Sequence, residues 1–74
     1  MEITLRQARR MKEYTIPFMA QKLGVSEYIY RKYENNPGKV TIEVAMKICS
    51  ILDMTMEQIF FGQNFILNEH AKGV

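Results

Sequence analysis

The residues of this chain that carry obvious chemistry are its cations, and these are concentrated in one half. Residues 1–39 hold eight lysines and arginines against four glutamates, a net charge of +4, whereas residues 40–74 hold two cations against four anions, a net charge of −2. The formal net charge of +2 conceals this division. Such an asymmetry indicates either a surface that binds a polyanion or a solvated basic face.

Side chains suited to catalysis or metal binding are few and scattered. The single cysteine, Cys49, falls within an apolar stripe of helical spacing, and the single histidine, His70, lies in a polar terminal segment. One cysteine and one histidine cannot fill a four-ligand zinc site, and a lone cysteine cannot form an internal disulfide. We therefore expect no enzyme activity, no metal and no cofactor.

Length and composition favour one small helical domain. The chain has 74 residues, of which 47% are hydrophobic, with only four glycines and two prolines. A chain of this size holds a single core, and its abundance of Met, Ile, Glu and Lys favours helix. No apolar run approaches the roughly 20 residues that span a bilayer, and no apolar signal-peptide core is present. We expect a cytoplasmic protein without a membrane partner.

Hydrophobic spacing and capping residues predict an all-α domain of five short helices over residues 1–62, followed by a tail over residues 63–74. Thr15, Ser26 and Thr41 are the expected N-caps, and Thr55 with Gln58 has the spacing of a capping box. The predicted helices lie at about 4–12, 16–23, 27–34, 41–52 and 56–60.

The joint between the second and third predicted helices has the pattern of a helix-turn-helix. Leu23-Gly24-Val25-Ser26 combines a glycine stop, a short turn and a new N-cap. Gly24 can adopt the positive φ that such a turn requires. Ala20 is small enough for two helices to cross closely at its position, and Tyr30 and Tyr33 are spaced to face a core.

With these residues in order, the chain resembles the phage repressor/Cro family of helix-turn-helix regulators, often called XRE-type. The resemblance covers roughly residues 3–61 without an insertion. The matching residues are Leu5, Arg9, Thr15, Met19, Ala20, Leu23-Gly24-Val25-Ser26, Tyr30, Tyr33-Glu34-Asn35, Thr41-Ile42, Ile48, Leu52, Thr55 and Ile59-Phe60.

The resemblance implies a compact, lambda-repressor-like DNA-binding domain with a short C-terminal arm. It implies a sequence-specific regulator of transcription, a repressor of phage, prophage or mobile-element origin, that binds double-stranded DNA. The family generally binds near-palindromic operators as a homodimer. It also implies that Arg9 and Glu34 form a structural ion pair rather than a DNA contact.

The same resemblance assigns the DNA-reading residues, with the helix at 27–34 in the major groove. Base contacts are expected from Ser26, Glu27, Tyr28, Arg31 and Lys32. Phosphate contacts are expected from Thr15 at the start of the second helix and from Asn35, Asn36 and Lys39. Arginine or lysine donates to guanine, glutamate accepts from cytosine, and a tyrosine ring packs on a thymine methyl.

The start of the second helix departs from the family pattern. The family is polar there, whereas this chain has the apolar run Ile16-Pro17-Phe18. The run could fold onto Tyr14 and extend the core, form a surface for a protein partner, or pack against DNA sugars. A partner surface would support the alternative function, a protein-interaction module such as an antirepressor or inhibitor.

Charge and backbone depart from the family pattern elsewhere. Glu27 repels phosphate, so it must read a base, pair with Arg31 four residues on, or weaken binding. Glu13 and Asp53 replace glycines that end helices in the family, although neither tolerates left-handed geometry as glycine does.

Apolar residues late in the chain form the candidate dimer or partner surface. A monomer with one short recognition helix binds DNA weakly at physiological salt, so the prediction needs an interface. The candidates are Phe61, Phe65, Ile66 and Leu67, together with Ile16 and Phe18.

Overall fold

The computed structural model describes residues 3–61, in which four α-helices are bracketed by two short strands. The helices are Leu5–Met11 (α1), Ile16–Leu23 (α2), Glu27–Asn35 (α3) and Ile42–Leu52 (α4). The strands are Ile3–Thr4 (β1) and Ile59–Phe60 (β2), and a 3-10 helix spans Pro37–Lys39. Within this range no helix has the length and apolar character needed to cross a membrane.

Every one of these α-helices begins at a hydroxyl side chain. Each cap oxygen accepts the backbone N–H three residues on, at 3.0–3.2 Å, so one donor of each first turn is satisfied. The four caps are Thr4, Thr15, Ser26 and Thr41. The last three are the caps that the sequence predicts, whereas Thr4 adds a capping box with Gln7.

Three of the helices end in the same hydrogen-bonded turn. The residue after the turn donates its N–H back to the carbonyl five positions earlier, as from Val25 to Ala20 at 3.0 Å. The residue at the turn itself is left-handed in each case: Glu13 at φ 60°, Gly24 at φ 74° and Asp53 at φ 56°. The two family glycines that this chain replaces are therefore positions where the backbone still adopts a glycine conformation.

The predicted fifth helix at 56–60 is wrong. The Gln58 side chain does accept the Thr55 N–H at 2.8 Å, but the chain makes only a turn there before entering β2. β2 pairs in parallel with β1, with Ile3 opposite Ile59 and Thr4 opposite Phe60. Ile59 and Phe61, two positions apart, are both buried, because an extended chain places alternate residues on one side.

One core joins the helices and the β-pair. All four helices and β2 contribute its largest fully buried side chains, so each of these elements depends on the others for its packing. The buried apolar residues are Leu5, Ala8, Met19, Ala20, Tyr30, Val40, Ala45, Ile48, Cys49, Leu52, Ile59 and Phe61.

The left-handed turns predict a simple change in stability. Glu13→Gly should raise the free energy of unfolding by about 1 kcal/mol, because glycine adopts positive φ without the Cβ penalty. Denaturant unfolding measures this difference. Gly24→Ala is the matched control and should lose about 1 kcal/mol, since its Cβ would meet no atom within 4 Å and only the backbone is strained. Equal stability of the Glu13→Gly variant and the wild type would contradict the assignment of strain at this turn.

Candidate nucleic-acid interface

α2, the Gly24 turn and α3 form a packed helix-turn-helix. Met19 and Ala20 on α2 and Tyr30 on α3 are buried between the helices and the core. Ala20, where the sequence predicts a close helix crossing, is only 3% exposed and lies on the packed face of α2. The Ser26 hydroxyl then starts α3 by accepting the Ile29 N–H at 3.1 Å.

The outer face of α3 carries the predicted base-contacting residues. Ser26, Glu27, Tyr28, Arg31 and Lys32 are all exposed, and Tyr28 is 66% exposed. The structure therefore brings all five onto one solvent-facing surface. An exposed tyrosine and two cations on a capped helix can donate to base edges and pack against a methyl group.

Two pairs of side chains order this surface in the free protein. Arg31 Nη2 lies 3.6 Å from Glu27 Oε1, which is one of the arrangements that the sequence allows for Glu27. Lys32 Nζ lies 4.7 Å from the centre of the Tyr28 ring. Both pairs are exposed, so each contributes no more than about 1 kcal/mol and opens readily for a ligand.

A buried ionic cluster holds the inner face of α3 against α1. Glu34 accepts a hydrogen bond from Arg9 Nε at 2.6 Å, so the pair that the resemblance implied is present. The Tyr30 hydroxyl donates to the same carboxylate at 2.7 Å, and a second Arg9 nitrogen donates to the Tyr14 carbonyl at 3.0 Å. The Glu34 carboxylate is only 2% exposed, yet every buried polar side-chain atom in residues 3–61 has a partner.

These contacts shift the pKa of each group in the cluster. Burial alone would raise the pKa of Glu34, but the hydrogen bonds from Arg9 and Tyr30 outweigh it and hold that pKa below its usual value. Burial, followed by the neighbouring carboxylate, raises the pKa of the Tyr30 hydroxyl. The hydrogen bond to Glu34 raises the pKa of Arg9. The cluster therefore stays ionised, with a neutral tyrosine, throughout the physiological range.

Arg6 joins this cluster, a role that the sequence reasoning missed. Its Nε lies 3.3 Å from Glu34 Oε1, and its Nη2 donates to Asn35 Oδ1 at 3.1 Å. The signal was its position three residues before Arg9, which places both on one face of α1. The side-chain oxygen of Asn35 thus already accepts a hydrogen bond, and the side-chain NH2 of Asn35 is the group left to donate to a phosphate.

The other predicted phosphate contacts lie at the edges of the helix-turn-helix. Thr15, Asn36 and Lys39 are exposed, at the start of α2 and around the 3-10 helix. The Thr15 oxygen already accepts the Phe18 N–H, which leaves its hydroxyl proton to donate. Asn36 and Lys39 border a shallow cleft beside α3, together with Lys32.

The apolar run at the start of α2 packs on its own chain. The Phe18 ring lies 4.4 Å from the Tyr14 ring, centre to centre, and Ile16 is half-buried against the core. These contacts favour the core-extending interpretation of the run. Phe61, expected at a dimer surface, is instead 4% exposed and belongs to the core, because its place beside β2 turns it inward. Phe65, Ile66 and Leu67 lie outside the described residues.

The described residues hold no cluster suited to a metal. Residues 3–61 contain no group of three or more His, Cys, Asp or Glu side chains arranged to hold one. Cys49 is buried, with Sγ 3.6 Å from Met56 Sδ, and burial raises the pKa of its thiol. A buried thiol of this kind is a packing residue rather than a nucleophile.

A comparison with protein families agrees with this geometry. The family model of the Cro/C1-type HTH DNA-binding domain matches residues 4–61, which are nearly all of the described residues. The chain belongs to this family. Searches of curated proteins and of solved structures found no match. The Cro/C1-type domain thus includes α1 to α4 and β2, and α2 and α3 are its helix-turn-helix.

The ionic cluster predicts how the stability of the Cro/C1-type domain varies with pH. The pKa of Glu34 is lower in the folded chain than the value of about 4.3 expected when unfolded, so ionisation favours the folded state. The stabilisation is complete above that unfolded value and is lost as pH falls through the folded one. Unfolding by urea, from neutral to acidic pH, measures the loss.

A pair of glutamine variants separates Glu34 from the other carboxylates. Glu34→Gln should lower the free energy of unfolding by about 3 kcal/mol at neutral pH, because Arg9 keeps a part-buried charge without a counter-ion. Its stability should also fall less in acid than that of the wild type. Glu57→Gln, at an exposed position, should stay within about 0.5 kcal/mol of the wild type. An unchanged acid dependence in Glu34→Gln would refute the role of this carboxylate.

Proposed function

We propose that the protein is a sequence-specific regulator of transcription that binds double-stranded DNA with α3 in the major groove, and that it acts as a repressor by occupying its site. The observation that carries this proposal is a Cro/C1-type domain whose α3 exposes Glu27, Tyr28, Arg31 and Lys32 to solvent on its outer face. A groove about 12 Å wide accepts one helix, so this face can reach base edges. The proposed mechanism requires no covalent chemistry.

Four residues on the outer face of α3 have base-contacting roles that their chemistry allows. Lys32 donates to guanine O6 or N7, Tyr28 packs on a thymine methyl, and Glu27 accepts from cytosine N4. Ser26 uses its remaining hydroxyl proton at a base edge near the start of α3. Phosphate contacts from Thr15, Asn35, Asn36 and Lys39 hold the register of α3 on the duplex.

The alternative function, a protein-interaction module, has lost the feature that suggested it. Phe18 packs against the Tyr14 ring and Ile16 packs on the core, so the apolar run is used within the chain. The pairing of Glu27 with Arg31 also gives the unexpected carboxylate a local partner. DNA binding is therefore the single function that we propose.

Selection from a library of genomic fragments tests this function. We expect enrichment of near-palindromic sites, and a loss of that enrichment in an Arg31→Ala, Lys32→Ala double variant. Tyr28→Ala should relax the preference at one base position by about 1–3 kcal/mol, since it removes a contact to one base. Failure of the wild type to enrich any site, even at low salt, would refute sequence-specific binding. An equal loss on every sequence would make Tyr28 a backbone contact.

We further propose that the protein binds its operator as a homodimer, with half-sites about 34 Å apart. Two separated half-sites need two copies of α3, and Phe65 to Leu67 supply apolar residues for the contact. In the full chain, Phe65→Ser with Leu67→Ser should convert the dimer to a monomer, as measured by light scattering. Met46→Ser is the matched control, because Met46 is an apolar residue of α4 that is 60% exposed. A dimer that survives the first change and dissociates with the second would place the interface on α4.

A further inference from the structure

A recess lies between α1, α3 and Ile16, the first residue of α2. Its volume is about 230 Å³, and four arginines line it: Arg6, Arg9, Arg10 and Arg31. Glu34, Asn35 and Ile16 complete its lining. Because Arg31 also belongs to the exposed face of α3, the recess adjoins the surface that faces DNA in the proposed function.

The positive charge of the recess is only partly neutralised. Glu34 is the single carboxylate in its wall, and Arg9 and Arg6 already share it at 2.6 and 3.3 Å. Arg10 has no acidic partner within residues 3–61, and Arg31 reaches only Glu27, at 3.6 Å between exposed groups. Arg10 and Arg31 therefore carry positive charge that an anionic ligand can neutralise, whereas Arg6 and Arg9 are held in place by Glu34.

The start of α2 offers few free N–H donors to an anion in the recess. Pro17 has no N–H, and the Phe18 N–H is taken by the Thr15 side chain. Of the first three positions of α2, only Ile16 keeps an N–H that a ligand could use. Guanidinium groups, in contrast, offer paired donors that match the oxygens of a phosphate.

We propose that this recess holds a phosphate group of the DNA backbone, with Arg10 and Arg31 as its donors. This proposal rests on the proposed function and deepens it. Arg31 is then a phosphate contact and not the base contact that the sequence suggested. Glu27 competes with the phosphate for Arg31, so the exchange of one partner for the other accompanies binding.

The dependence of duplex affinity on salt tests this assignment. A random-sequence duplex is used beside any selected operator, so that phosphate and base contacts are separated. Arg10→Gln and Arg31→Gln should each lower the affinity for the operator and for the random duplex by the same factor. Each should also reduce the slope of log affinity against log salt by about 0.9. Glu27→Gln should strengthen binding to the random duplex. Lys47→Gln removes an exposed charge on α4 outside the recess and should change the slope little.

Two results would overturn the proposal. Loss of affinity for the operator alone in Arg31→Gln would make Arg31 a base contact. An unchanged salt slope in both Arg10→Gln and Arg31→Gln would show that the recess holds no phosphate.

A second measurement distinguishes a backbone phosphate from free phosphate. NMR of the arginine Nε–H signals is recorded with inorganic phosphate, with the random duplex, and with chloride at matched ionic strength. Shifts of Arg10 and Arg31 with the duplex alone support a backbone site, and shifts with phosphate as well support a site for the phosphate group itself. No shift with either would refute it. If no duplex binds, the proposed function fails, and the inorganic phosphate titration still decides whether the recess binds phosphate.

Discussion

The contact on which the rest of the structure depends is the buried carboxylate of Glu34. It accepts from Arg9 and Arg6 on α1 and from Tyr30 one turn earlier on α3. Because Tyr30 and Glu34 lie on the same face, holding both against α1 sets the rotation of α3 about its own axis. That rotation places the opposite face, with Tyr28 and Lys32, toward solvent. A buried ion pair adds little net stability, so we ascribe to this one the selection of a single orientation.

The interactions on the two faces of α3 differ in strength, and the difference suits a binding surface. On the inner face, removing one partner leaves a desolvated charge, which costs several kcal/mol. On the outer face, Glu27 with Arg31 and Tyr28 with Lys32 are exposed pairs worth a fraction of that. The helix is consequently rigid in orientation while its outer side chains can exchange one partner for another at little cost.

Most of this fold could be predicted from short sequence patterns such as helix caps. The features that were missed depend on contacts between residues far apart in the chain. Thr15, Ser26 and Thr41 were readable because a cap bonds within its own first turn. Glu13 and Asp53 were readable as replaced glycines, and both adopt positive φ. The segment at 56–60 was misread as a helix, because the conformation of Ile59 and Phe60 depends on pairing with β1, more than fifty residues earlier. The role of Arg6 was missed for the same reason, since its partners lie on α3.

The apolar start of α2 and the arginine-lined recess are two sides of one arrangement. Phe18 packs against the ring of Tyr14, whose backbone carbonyl accepts a hydrogen bond from Arg9, so the run contributes to holding the buried cluster. The same residues leave α2 with few N–H donors for an anion. Any anion at this place must therefore be met by side chains from α1 and α3. Glu34 makes this feasible, because by neutralising Arg9 it lets further arginines gather around one carboxylate with part of their charge still unpaired.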